Sequence, residues 1–370
     1  MMIDIHGIIQ EFYENASGFC GGEHVLHAIF YSLCLKRGLN HQQIAREYNV
    51  DKTLIDIAIF NDDCDGDFTN PNNIPHTLIE FKGGAYGTRN ALKDTIDKNG
   101  YCSDYVKLSN PRFNESAKWL VAVDMPELKV SITDSQLINC ALQAERNNFI
   151  FSYYCQHKPD YYVSEKGTIH KKKLSIKPPT PKARTSDILD ILNGNVTLKK
   201  QTQNINGHEA NNAALLYSCL RDSHYAIPEV SLETYFNLAN FNGKRMQSRP
   251  DLVIFNNSFD GCFNLYKNGD KSLPNDAHKL SALEAIIEIK GSAGLNNATD
   301  NKLKKLYEAD IAKLIMWRNA LLNNGASGLL KTIFWAVDNR KSPININILD
   351  EIKKLAMMND IEFIYYGRIT

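Results

Sequence analysis

"IEFKGG" occupies positions 79–84, and "IEIKGS" occupies positions 287–292. Each is an apolar run that reaches Glu, one further apolar residue, Lys and Gly. A short run of this kind reads as a buried strand whose end turns polar. Side chains alternate across a strand, so Glu80 and Lys82 share one face and Phe81 takes the other. Glu288 and Lys290 share a face in the same way, opposite Ile289.

The echo extends outward from these two stretches. "GEHVLHAIFYSLCL" (22–35) lies beside "HEANNAALLYSCLR" (208–221), which sets Glu23 against Glu209. "IDIAIF" (55–60) lies beside "PDLVIF" (250–255), which sets Asp56 against Asp251. "SDYVKL" (103–108) matches "ADIAKL" (309–314), "LVAVD" (120–124) matches "FWAVD" (334–338), and "NNFIFSYY" (147–154) matches "NDIEFIYY" (359–366). An ordered set of matches separated by loop-sized differences implies a tandem duplication of a domain-sized unit. The expected organisation is a first copy over 1–156, a connecting segment over 157–206 and a second copy over 207–370. The connector includes "HKKKLSIKPPTPKARTS". It is rich in Lys and Pro and reads as a linker or a basic arm, with a short helix in "SDILDILNG" (186–194).

Within the second copy the pattern predicts helix, strand, strand, helix, strand, helix, strand. "NGHEANNAALLYSCLRDS" and "NATDNKLKKLYEADIAKLIMWRNALLNN" carry apolar residues at helical spacing. "PDLVIF", "LEAIIEIKG", "KTIFWAVD" and "IEFIYYGRI" read as strands. The first copy reads the same way. The expected fold class is α/β, with two duplicated units, each a mixed central sheet flanked by helices.

Bulk properties narrow the function classes. The chain has 370 residues, with Lys plus Arg equal to Asp plus Glu at 42 each. A nucleic-acid partner would therefore be held by a local basic patch rather than by the net charge. No apolar run is long enough to span a bilayer, and "MMIDIHGIIQEFYENASGF" lacks the form of a secretory signal. The eight cysteines are scattered and form no CxxC pair. Reduced thiols in a cytoplasmic protein are the simplest expectation.

The polar ends of the two echoing strands carry the chemistry. If the Asp251 strand lies beside the Glu288 strand, two carboxylates and an ammonium converge. Paired carboxylates suit Mg²⁺, a hard cation that prefers oxygen. Lys290 would stabilise charge on a phosphate or help activate a water. Phosphodiester hydrolysis needs a metal, an activated water and positive charge for the transition state.

This constellation resembles the PD-(D/E)xK nuclease superfamily, the restriction-endonuclease-like fold. The matching residues are Asp56, Glu80 and Lys82 in the first copy and Asp251, Glu288 and Lys290 in the second. Glu23 and Glu209 match the helix Glu that many members place near the metal. Ile55 stands where the motif, and the second copy, have Pro. The resemblance covers both copies and leaves out the connector. It implies catalytic roles for all eight of these residues, with metal held by Asp56 and Glu80 and by Asp251 and Glu288. Mg²⁺ is the expected ion, with Mn²⁺ substituting.

Other signals are secondary. Lys107 and Lys313 recur on the helix after the ExK strand, where a surface salt bridge competes with contact to DNA phosphates. "GGAYGTRNA" (83–91) offers glycines for close backbone approach and Arg89 for a phosphate or a base. Lys171, Lys172 and Lys173 read as solvated linker or as a DNA-wrapping arm. "HVLH" (24–27) lacks the HExxH spacing and is expected to be a pair on a helix surface. "NHQQIAREYNVDKTLI" (40–55) faintly resembles a helix-turn-helix.

The resemblance implies an Mg²⁺-dependent endonuclease acting on double-stranded DNA, one strand per unit. The chain would be an intramolecular pseudo-dimer, with no further self-association required. Restriction or antiphage defence, with other defence subunits or a cognate methyltransferase as partners, is the implied setting; no membrane partner is expected. The alternatives are a nicking or RNA-cleaving effector nuclease, and a non-catalytic DNA-binding or assembly module.

Overall fold

The structure is a computed structural model. It describes residues 4–16, 22–51, 53–83, 107–124, 133–156, 158–176, 187–230, 232, 236, 249–259, 278–291 and 293–367. The chain divides into two compact units, with a boundary between Thr180 and Pro181. Each is α/β, a mixed sheet flanked by helices.

In the first unit, helices α1 (Ile5–Ala16) and α2 (Glu23–Lys36) precede the sheet. The strands are β1 (Ile44–Val50), β2 (Thr53–Ile59), β3 (Thr77–Gly83), β4 (Ala117–Asp124), β5 (Ile150–Cys155), β6 (Asp160–Glu165) and β7 (Thr168–Lys173), with α3 (Asp134–Arg146) between β4 and β5. Strand order follows chain order from β1 to β7. The pairs β3–β4 and β4–β5 are parallel, and all the others are antiparallel. "TLIEFKG" is buried through Phe81 and opens to solvent only at Lys82 and Gly83, as a run ending in ExK should. Phe81 packs edge-on against Phe12 of α1 and Phe30 of α2, with ring centroids 5.4 and 5.5 Å away. The α3 helix opens on a capping box between Thr133 and Gln136.

In the second unit, α4 (Ile188–Gly194), α5 (Val196–Gln203) and α6 (Glu209–Leu220) lead into β8 (Tyr225–Pro228), β9 (Leu252–Phe255) and β10 (Leu283–Lys290). Then follow α7 (Asp300–Asn323), β11 (Lys331–Val337), α8 (Ile346–Met357) and β12 (Glu362–Tyr366). The order β8–β9–β10–β11–β12 again follows the chain. Two antiparallel pairs are followed by two parallel ones, the same senses as β1 to β5. Trp317 of α7 and Trp335 of β11 are fully buried in its core.

Three features differ from the sequence expectation. Each sheet has an additional first strand, β1 or β8. The stretch 40–55 is accordingly a short 3₁₀ turn, the strand β1 and the start of β2, and no helix-turn-helix. The segment expected as a connector is largely built into the fold. Residues 160–173 form the hairpin β6–β7 on the edge of the first sheet, and 188–203 form α4 and α5. The hairpin carries little apolar alternation of its own. Its lysines are held instead by ion pairs, Lys171 and Lys173 to Asp160 and Lys172 to Glu165. Among the described residues no helix is long and apolar enough to cross a membrane.

Candidate active site

In the second unit the site is assembled where the β9–β10 ladder ends. The last paired residues are Leu252 and Ile287. One residue beyond, the Asp251 carboxylate takes over from the backbone and accepts the Ile289 N–H at 2.5 Å. Glu209, the first residue of α6, accepts the Gly291 N–H at 3.1 Å. Asn212, one turn along α6, donates to the Gly291 carbonyl at 3.1 Å. Helix and strand are thus tied together at Gly291, just after Lys290, while Asp251 holds the strand at Ile289, just before it.

The acids are bridged by two lysines. Lys290 Nζ lies 3.4 Å from Glu209 and 3.2 Å from Asp310. Lys313 pairs with Asp310 at 2.6 Å and with Glu288 Oε1. The other carboxylate oxygen of Glu288, Oε2, is buried and has no hydrogen-bond partner. Burial pushes the Glu288 carboxyl up to about 7, against the pull of Lys313. Burial, with Glu288 and Glu209 nearby, holds Asp251 well above the usual carboxylate range. Glu209 is also raised by burial, although Lys290 opposes the shift. Lys290 itself is raised, because Glu209 and Asp310 outweigh its burial.

The first unit repeats the framework. The β2–β3 ladder ends at Ile57 and Ile79. Asp56 then accepts the Phe81 N–H at 2.7 Å, and Glu23, the first residue of α2, accepts the Gly83 N–H at 3.2 Å. Lys107 Nζ lies 3.4 Å from Glu80, which is fully buried. A further echo lies at the ends of β4 and β11, where Tyr153 donates to Asp124 at 2.9 Å and Tyr365 donates to Asp338 at 2.8 Å.

The two units differ at one position on the helix. His27 of α2 is buried, with Nε2 3.5 Å from Asp56. Ala213 stands at the matching position of α6. Burial alone would raise Asp56, but His27, the Phe81 N–H and Lys82 together hold it well below the usual carboxylate range. Glu23 is raised by burial, with Lys82 and His27 opposing. Ligand atoms of Glu23, His27 and Asp56 all lie within 4.8 Å of one another. Glu80 is not a member of that group.

Sequence reasoning therefore missed two residues. "HVLH" is not a surface pair, because His27 faces Asp56 from inside the helix layer. Asp310, expected in a surface salt bridge, is buried between Lys290 and Lys313. The recurring Asp-x-x-Lys-Leu sequence at 104–108 and 310–314 was the available signal. Lys107 and Lys313 point at the ExK glutamates rather than standing clear of them. Leu108 and Leu314 are buried core residues. Arg89 lies outside the described residues.

No family model matches the chain, and no curated protein or solved structure matches it. Carboxylates alternating with ammonium groups, next to a buried carboxylate oxygen that accepts nothing, suit a cation and an anionic ligand together.

Proposed function

We propose that the chain is a divalent-metal-dependent endonuclease with two phosphodiester-hydrolysing centres, each cutting one strand of duplex DNA. The two units are read as a tandem duplication of a restriction-endonuclease-like domain. The observation that carries the reading is the doubled framework. In both units an Asp carboxylate caps the middle N–H of the Glu-x-Lys stretch, and a helix Glu caps the following Gly N–H. A solvated pair of surface residues has no reason to keep this arrangement twice.

Asp56 and Glu80 in one centre, and Asp251 and Glu288 in the other, are the proposed holders of the metal. The unpartnered Oε2 of Glu288 fits that role. When bound, the ion polarises the phosphate and lowers the pKa of a coordinated water. The chain's own groups do the rest. Glu23 and Glu209 fix the ends of β3 and β10 through the Gly83 and Gly291 N–H groups. Asp310 and Glu209 hold the Lys290 ammonium at the polar end of its strand. There it neutralises charge that builds on the phosphate oxygens. Lys313, which pairs with Glu288 and Asp310, would add a second positive charge beside the phosphate.

Supercoiled plasmid with Mg²⁺ and Mn²⁺ both present tests the proposal. The wild type is expected to give linear DNA. Lys82→Ala or Lys290→Ala alone is expected to give nicked circles, and the double variant to lose activity by at least about 100-fold. Nicked circles from the wild type, cut RNA beside intact plasmid, or full activity in the double variant would each overturn it.

A further inference from the structure

His27 has no counterpart in the second unit, and its surroundings give it no hydrogen bond. The ring is 2% exposed, and neither nitrogen has a hydrogen-bond partner. It lies beside the Phe81 ring, with centroids 5.1 Å apart, and beside His24 at 5.6 Å. An imidazole shut away in this manner has little to replace the water it loses on burial, which is unfavourable. Its Nε2 nevertheless points at the Asp56 carboxylate, 3.5 Å away. Glu23 closes the set, with all three ligand atoms within 4.8 Å of one another.

We infer that Glu23, His27 and Asp56 form a mixed nitrogen–oxygen site that binds a divalent transition ion in preference to Mg²⁺, so that the two centres of the chain are loaded by different metals. The inference rests on the two-centre reading above for the use to which the ions are put, but not for their binding. Imidazole nitrogen suits the later first-row ions, whereas Mg²⁺ prefers oxygen and keeps its waters. In the second unit Ala213 supplies no donor at this position. Lys290 and Lys313 stand among the carboxylates there, and the ion-paired groups among the described residues at that site are carboxylates and ammonium groups. That set suits a hard ion. The first unit places an imidazole nitrogen where the second has a methyl group. Asp56 and Asp251, and Glu23 and Glu209, keep the same backbone partners in the two units, while the imidazole is present in the first alone.

Two measurements test this on the full chain. Electron spin echo envelope modulation on the wild type loaded with one equivalent of Mn²⁺ reads nitrogen ligation directly. A ¹⁴N coupling that disappears in His27→Ala is expected. Titration calorimetry then compares Co²⁺ with Mg²⁺, using Asp251→Asn/Glu288→Gln to silence the second centre. Co²⁺ is expected to bind that background tightly, and adding His27→Ala to weaken it by at least about tenfold. Absence of the ¹⁴N coupling in the wild type, its persistence in His27→Ala, or an unchanged Co²⁺ isotherm in the folded variant would overturn the inference. The wild-type spectrum decides the matter even where the variant does not fold. Plasmid cleavage with Mg²⁺ but no nitrogen coupling would sink this inference alone. Nitrogen coupling without cleavage would sink the nuclease reading alone.

Discussion

Glu288→Gln should flatten the pH dependence of stability in metal-free protein. The Glu288 carboxyl moves from an ordinary 4.5 to about 7 on folding, chiefly through burial. Its folded value lies above its unfolded value, so the native state holds the proton more tightly. The stabilising contribution is complete below about 4.5 and is lost as pH rises through about 7. At 1.36 kcal/mol per unit, the part lost between pH 5 and pH 8 is about 2.5 kcal/mol. Glutamine keeps the shape of the protonated acid and has nothing to lose over that interval. Lys313 retains Asp310 at 2.6 Å, so the substitution does not strand a buried ammonium. The assay is urea unfolding in EDTA at the two pH values, followed by the fluorescence of the buried Trp317 and Trp335. The wild type should lose about 2.5 kcal/mol more than the variant over that interval. Excess Mg²⁺ at pH 8 should restore more stability to the wild type than to the variant, since the ion binds the ionised carboxylate. Parallel pH profiles for the two proteins would refute the reasoning.

Arg340→Ala removes the partner of Asp338 at 2.9 Å and of Asp300 at 2.8 Å from a buried network, and should cost about 3–5 kcal/mol in chemical denaturation. Gly83→Ala should be destabilising by roughly 1–3 kcal/mol from backbone strain, with contact strain in addition. Its φ is +118°, and a Cβ there would meet the Val123 carbonyl at 1.8 Å. Gly291→Ala should lower the thermal midpoint as well, because its Cβ would lie 2.4 Å from the Val337 carbonyl. A wild-type midpoint in either variant would show that the neighbouring strand yields freely.

The strands that carry the acids were legible because they are buried and continuous. "IEFKGG" and "IEIKGS" could be read as strand ends from hydrophobicity alone, and the echo aligned Asp56 with Asp251 and Glu23 with Glu209. The edges of the sheets were less legible. "YAIP" is too short to show a period, and "IAREYNV" sits in a stretch whose polar spacing imitates helices. "TIHKKK" has almost no apolar alternation, because β7 is an exposed edge held by Asp160 and Glu165 rather than by a core. The glycines after the first ExK were expected to serve close approach to phosphate. The visible reason for Gly83, and for Gly291 at the matching place, is the carbonyl of Val123 or Val337 on the next strand. His27 and Asp310 escaped for another reason. Their burial comes from tertiary packing, and no local pattern separates a buried polar residue on a two-sided helix from an exposed one.

Strand order equals chain order in both sheets. Each new strand therefore adds to a growing edge, and none has to be threaded between two that are already paired. Such a topology keeps the loops that must close short, which favours fast assembly. During synthesis the hairpin β6–β7 completes the first sheet by Lys173, before α4 opens the second unit at Ile188. With the first sheet already paired, its strands are not free when the look-alike strands of the second unit emerge. Two units with the same strand order and senses in one chain otherwise invite exchange of strands.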